Sequence, residues 1–167
     1  MKNDIESILA GRSGIQLDIG CGGAKQEGFV GMDVRSLPGV DIVWDVSEFP
    51  WPLPDDCVVQ AIASHLVEHI NPAGGGFIQF MDEVWRVMQV DGRFAIATPH
   101  GRSDGFLQDP THCNPCNEVT WAYFDPKEKF TGGMLYNIYK PKPWRIAHLT
   151  WSPEASIEVI LHKRADE

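Results

Sequence analysis

The 167-residue sequence has no stretch near the roughly 18 uninterrupted apolar residues of a membrane span, which excludes a transmembrane helix. Basic residues are scarce: 14 Lys and Arg stand against 23 Asp and Glu, a formal net charge of −9 at pH 7. An acidic surface repels phosphate backbones, which argues against nucleic acid as a partner. The cations that do crowd together, Lys127, Lys129, Lys140, Lys142 and Arg145, read as a solvated loop. Only four cysteines occur, Cys21, Cys57, Cys113 and Cys116. No apolar segment follows Met1-Lys2-Asn3-Asp4, so no signal peptide is expected, and the chain reads as cytoplasmic with reduced thiols. Internal repeats and low-complexity tracts are lacking too. What is there, 43% hydrophobic and 22% charged residues, is the make-up of an ordinary globular domain spanning 1–167.

Residues 2–10 read as a short, weakly amphipathic helix. Strands are expected at 15–20, 29–34, 40–46, 58–63 and 94–98. The apolar run Val58 to Ala63 is expected to be covered on both faces. Phe77, Met81, Val84, Trp85 and Met88 recur at helical spacing, with Gln79, Asp82, Glu83, Arg86 and Gln89 opposite, and Asp91-Gly92 is read as the stop. Residues 49–56 form a proline-rich loop. Residues 100–143 show no clear periodicity and carry seven aromatics, Phe106, Trp121, Tyr123, Phe124, Phe130, Tyr136 and Tyr139. So long an irregular stretch reads as an insertion that forms a lid or acceptor site, or a satellite core, with a short helix at Thr120 to Phe124. Trp144 to Trp151 and Ser156 to Leu161, joined at Ser152-Pro153-Glu154, read as an antiparallel hairpin. The sum is an α/β sheet, mostly parallel, with an antiparallel edge.

Leu17-Asp18-Ile19-Gly20-Cys21-Gly22-Gly23 closes the first of these strands. Glycines there allow positive φ and close approach of a ligand to the backbone. Asp33, at the end of the second strand, can accept from both hydroxyls of a ribose. Asp45, after the third, can accept from an exocyclic adenine amine, with Val46 flanking the base. Each of these carboxylates also has a plainer role as a turn cap. Three carboxylates at successive strand ends nonetheless point to a ligand outside the carboxyl edge of the sheet. Only Ala24 to Gly28 separate the last glycine from the next strand, too few for a crossover helix that could hold a pyrophosphate. This favours an adenosine with a small zwitterionic tail over a dinucleotide, and Lys25 can meet the tail's carboxylate.

These residues resemble the class I S-adenosylmethionine-dependent methyltransferases, and among them the small type 11 branch. Residues 17–23 look like the family's first motif, and Gly31-Met32-Asp33-Val34 like the second, whose acid holds the ribose. Asp45-Val46 is similar to the adenine-side position, His65-Leu66-Val67-Glu68-His69-Ile70 to the turn after the fourth strand, and 80–99 to the helix–Gly–strand unit that follows. The resemblance implies a three-layer α/β/α Rossmann-like sheet in the order 3-2-1-4-5-7-6. It implies S-adenosylmethionine as cofactor and S-adenosylhomocysteine as product. The cofactor-binding set it implies is Asp18, Gly20, Gly22, Lys25, Asp33, Val34, Asp45, Val46, His65 and Leu66.

Methyl transfer needs positioning and sometimes a base. His65, His69 and Glu68 follow the fourth strand, His100 ends the fifth, and His112 lies in Asp109-Pro110-Thr111-His112. His65 and His112 are the expected catalytic residues, orienting or deprotonating a small-molecule acceptor, while Glu68 and His69 read as structural. His112-Cys113-x-x-Cys116 has metal-like spacing, but one pair without a second is incomplete, so no metal is expected. Three rival readings remain. A nicotinamide oxidoreductase is disfavoured by the short glycine turn. A degenerate methyltransferase-fold subunit acting through a partner protein is kept open by the small size. A structural zinc module would need stoichiometric metal. Neither the acceptor nor the oligomeric state is legible.

Overall fold

The period-3.6 apolar stripe folds as one helix, α2 (Gly76–Val87), which buries Phe77, Phe80, Met81, Val84, Trp85 and Val87. In the computed structural model, which describes residues 5–165, this helix lies over a seven-stranded sheet. The strands are β1 (Ile15–Ile19), β2 (Val30–Asp33), β3 (Ile42–Val43), β4 (Val58–Ser64), β5 (Met88–Pro99), β6 (Trp144–Trp151) and β7 (Ser156–Lys163). Their order is β3-β2-β1-β4-β5-β7-β6. The first five pair in parallel, and β7 runs antiparallel to both β5 and β6. The expected mostly parallel sheet with a terminal antiparallel hairpin is what forms.

The remaining helices are short: α1 (Ile5–Leu9), α3 (Asp104–Leu107) and α4 (Tyr136–Tyr139). The expected first helix spans 2–10, of which 2–4 lie outside the described residues; Ile5, Ile8 and Leu9 pack against the core. No described helix is long and apolar enough to cross a membrane.

Two sequence expectations are corrected. The helix ends at Val87, and Met88 already begins β5. Asp91, at φ 61°, lies in an irregularity of that strand, where register against β4 slips between the Val58–Met88 and Gln60–Arg93 pairs. Asp91-Gly92 is therefore a bulge rather than a helix stop. Secondly, β4 is fully covered on one face only: Ala61 and Ala63 are buried, whereas Gln60 and Ile62 are half-buried and Val59 and Ser64 exposed. Right-handed crossovers put the β1–β2 and β2–β3 links on the face opposite α2. Neither link contains a helix, and farther along the sheet a shallow groove over Ile62, Ala95, Ala97 and Ile160 stays open.

The proline-rich loop 49–56 is anchored by α2. Arg86 donates to both oxygens of Glu83 (2.6 and 2.9 Å), to Asp55 (2.6 Å) and to the carbonyl of Leu53 (2.9 Å). Glu83 also accepts from the backbone amide of Trp51 at 2.5 Å, and the Trp51 ring meets Phe80 edge-on. Glu83 and Arg86, on the face opposite the apolar stripe, thus form a clamp in which Glu83 is buried and Arg86 half-buried. Trp121 and Phe124 of the irregular segment join the main core, with Trp144, Phe80 and Phe94. That part of the segment is core, and the expected short helix appears as a 3-10 turn at Thr120–Tyr123.

Candidate functional site

The carboxyl edge of the sheet carries two adjoining groups of residues. The first is the glycine turn after β1. Gly20 sits at φ 71° and its amide donates to the Met32 carbonyl of β2 at 2.8 Å. A Cβ at Gly20 would stand 2.8 Å from the Leu66 side chain, so only glycine lets the turn lie against the segment that follows β4. Gly22, at φ 55°, donates to Asp33 Oδ2 at 2.8 Å. Asp33 Oδ1 accepts from the backbone amide (2.9 Å) and Nε (3.1 Å) of Arg35. Burial pushes the Asp33 carboxyl up, but the hydrogen bonds from Arg35 and Gly22 outweigh it and hold the group below the usual carboxylate range.

Asp18 is buried and accepts from the amide of Gln26 at 2.8 Å, tying the far end of the turn to β1. Here burial prevails and raises the carboxyl. Lys25 does not reach into the site. Its Nζ pairs with Asp41 at 2.7 Å, and Asp41 also accepts from the Gly31 amide. Asp45 caps its own turn, accepting from the amide and hydroxyl of Ser47 at 2.9 and 2.7 Å. Val34 is exposed, whereas Val46 packs against the core. Sequence reasoning missed Arg35 and Asp41, whose charges become legible only once β2 brings them beside Asp33 and Lys25.

The second group lines a cleft of about 480 Å³ between the ends of β4 and β5 and the hairpin turn, with His65, Glu68, His69, Asp109 and His112 in its wall. His65 takes a left-handed backbone (φ 52°), is exposed, and donates its amide to the Ala97 carbonyl at 2.8 Å. The two expected catalytic histidines are therefore brought to one cleft. His112 gets there because Cys113 and Asn114 donate their backbone amides to the Glu68 carbonyl (2.9 and 3.1 Å), and the Asn114 side chain donates to the Val67 carbonyl (2.9 Å). His112 Nδ1 lies 2.9 Å from the Phe106 carbonyl, which fixes its proton on that nitrogen.

Glu68 is fully buried. Its Oε2 accepts from Thr98 at 3.0 Å, whereas Oε1 has no hydrogen-bond partner, although His65 Nδ1 stands 3.3 Å away. One donor atom from each of Glu68, His69 and His112 lies within 4.8 Å of the others. His100, by contrast, is spoken for: Nδ1 accepts from the Arg102 amide and Nε2 meets Glu118 at 3.1 Å. Cys113 and Cys116 do not join the cluster. Cys113 is exposed, and Cys116 is buried, its thiol pushed up to about 12 by burial and by the charge of Glu68.

No family model matches the chain, and no curated protein does. Among solved structures, it is similar to a SAM-dependent methyltransferase from Archaeoglobus fulgidus: TM-score 0.62, 16% identity, covering 95% of this chain and 90% of that one. It is also similar to the Burkholderia thailandensis 1,6-didemethyltoxoflavin-N1-methyltransferase, solved with bound 1,6-didemethyltoxoflavin and S-adenosylhomocysteine (TM-score 0.61, 16% identity, 96% and 75% covered). A third likeness is to a Haloferax volcanii complex of the Trm112 methyltransferase activator with a protein described as a methyltransferase (TM-score 0.59, 11% identity, 98% and 89% covered). At these identities likeness speaks for architecture, and the architecture is that of the class I S-adenosylmethionine-dependent methyltransferases.

Proposed function

We propose that the chain transfers a methyl group from S-adenosylmethionine to a small-molecule acceptor. The observation that carries this reading is the Asp33 carboxylate seated under the glycine turn, beside the cleft that holds His65 and His112. The fit to the cofactor can be tested on lone pairs. A carboxylate offers about four acceptor positions. Gly22 and Arg35 occupy three of those on Asp33, and the Arg35 side chain is largely exposed, so its Nε can yield a second position to a ribose diol. Gly20 and Gly22 leave the turn without side chains where the methionine portion would pass, and Asp45 and Val46 flank the adenine side. When bound, the cofactor supplies an electrophilic methyl on sulfur. In this reading His65, exposed in the cleft wall, receives an acceptor proton and His112 orients the acceptor.

A second reading, a methyltransferase-fold subunit that works through a partner protein, is favoured by a specific observation. Lys25 is committed to Asp41, and most of the Asp33 lone pairs are committed within the chain. The Haloferax volcanii complex gives that reading a precedent in the fold.

Calorimetric titration with S-adenosylmethionine, S-adenosylhomocysteine and NAD separates the readings. Micromolar binding of the first two, absent for NAD and lost in Asp33→Ala, supports the proposal. A chain that binds none of the three is not a methyltransferase by itself.

A further inference from the structure

We propose that Glu68, His69 and His112 form a site for a divalent transition-metal ion, with its open coordination positions facing the cleft. The first observation is chemical. Two imidazoles and one carboxylate are the donor set of open zinc and related sites, in which three protein ligands leave room for water or substrate. The donor atoms all lie within 4.8 Å of one another. Around an ion with bonds of about 2.0–2.2 Å they would stand about 3.3 Å apart. Closing that gap needs side-chain shifts of about an ångström.

The second observation is the buried carboxylate itself. Glu68 has no exposed surface, yet its Oε1 has no hydrogen-bond partner; among the described residues the exposed His65 ring, with Nδ1 at 3.3 Å, is the one group that stands near it as an ion-pair partner. A buried carboxylate oxygen left so is costly unless a cation meets it. Its other oxygen accepts from Thr98, which holds the carboxylate in one orientation within reach of the two rings.

The third observation is the protonation pattern of the two histidines. A carbonyl can only accept, so the contact with Phe106 places a proton on His112 Nδ1. The Thr111 hydroxyl gives its proton to Asp109 Oδ1 at 2.7 Å, so it accepts from His69 Nδ1 at 3.0 Å. In the tautomer these partners select, each ring carries its proton on Nδ1 and leaves the Nε2 lone pair free, as metal-binding histidines are held by their outer partners. Asp109 orders Thr111 through one oxygen, and its other oxygen lies 3.8 Å from His112 Nε2. The two rings meet edge-on, 4.7 Å between centroids.

An ion here would bind an oxygen of the acceptor and make its proton easier to lose, with His65 beside it to take that proton. This use of the ion rests on the methyl-transfer reading; the binding of the ion does not.

The test is direct. Protein stripped with a chelator and dialysed is titrated with Zn²⁺ and with Co²⁺, following heat and the visible absorption of bound cobalt. We expect one equivalent bound at micromolar affinity or tighter. His69→Ala, at an exposed position, should weaken it by about 100-fold, and Thr111→Val by about 10-fold or more through the loss of the His69 partner. Cys113→Ser and Asp33→Ala should leave it unchanged. Wild type that binds neither ion overturns the proposal. So does binding that survives His69→Ala at full strength, or that is lost in Cys113→Ser. S-adenosylhomocysteine titration of the same samples keeps the two proposals apart: metal binding without cofactor binding would sink methyl transfer alone, and the reverse would sink the metal site alone.

Discussion

Asp33 accepts a hydrogen bond from the backbone amide of Gly22 at 2.8 Å, so the carboxylate that would hold a ribose also holds the glycine turn in place. Binding and stability are linked at this residue. Removing a charged acceptor from backbone donors costs about 1.5–3 kcal/mol, and Asp33→Ala should lose stability on that scale. The linkage has a definite sign. The folded carboxyl is held below its unfolded value, so its contribution is complete above about pH 4 and is lost as pH falls through the lower folded value. In urea titrations the gap between wild type and Asp33→Ala should be the same at pH 7 and pH 5 and should narrow below pH 4. A gap that widens on acidification would contradict this account.

Arg86 is the keystone of the proline-rich loop. It pairs with Glu83, which is buried, and reaches Asp55 and the Leu53 carbonyl. Arg86→Ala leaves Glu83 buried without its counter-ion, and breaking such a pair costs about 3–5 kcal/mol. Arg86→Lys retains the charge but not the forked geometry, and should recover less than half of the loss. Chemical denaturation followed by circular dichroism, with hydrogen exchange at the Trp51 amide as the local probe, would show whether the loop and the core come apart together. An alanine variant as stable as wild type would mean the clamp is incidental.

The segment 100–143 shows where the sequence stops being legible. Strands announce themselves by apolar runs and α2 by its period, because each of those signals is local. Trp121 and Phe124 carry no such signal: they enter the core from a 3-10 turn and from loop, positioned by contacts with Phe77. The grouping of Glu68 and His69 with His112 is illegible for the same reason. His69 and His112 are far apart in sequence and meet only because residues 113–114 hydrogen-bond to the turn after β4. Glu68 read as structural because its burial, which makes its free oxygen significant, is not visible in a sequence. The glycine turn, by contrast, was readable through Gly20, Gly22 and Asp33, since its whole geometry lies within 14 residues of chain.

Trp121 distinguishes core from lid. It is fully buried, so Trp121→Ala should cost about 3–5 kcal/mol. Its indole N–H has no partner, so Trp121→Phe discards an unsatisfied donor along with some volume and should cost under about 1.5 kcal/mol. Thermal melts of the two variants read the difference. If Trp121→Ala melts with wild type, the segment is a detachable lid and its aromatics are free for an acceptor.

The cysteines give the cleanest check on the site that the sequence spacing suggested and the structure does not assemble. Burial pushes the thiols of Cys21 and Cys57 up to about 11 and that of Cys116 up to about 12. At pH 8 about one molecule in a thousand, or fewer, then carries a reactive thiolate at these positions. Cys113 is the exposed thiol. Iodoacetamide on the native protein should therefore label Cys113 first, and all four cysteines only after unfolding, as peptide mass mapping would show. A Cys113-x-x-Cys116 zinc pair would behave oppositely: both thiols would be shielded while metal is bound, and a chelator would expose both. Slow labelling of Cys113 that chelation accelerates together with Cys116 would return the metal to the cysteines, whereas chelator-independent labelling of Cys113 alone leaves Glu68, His69 and His112 as the place to look for it.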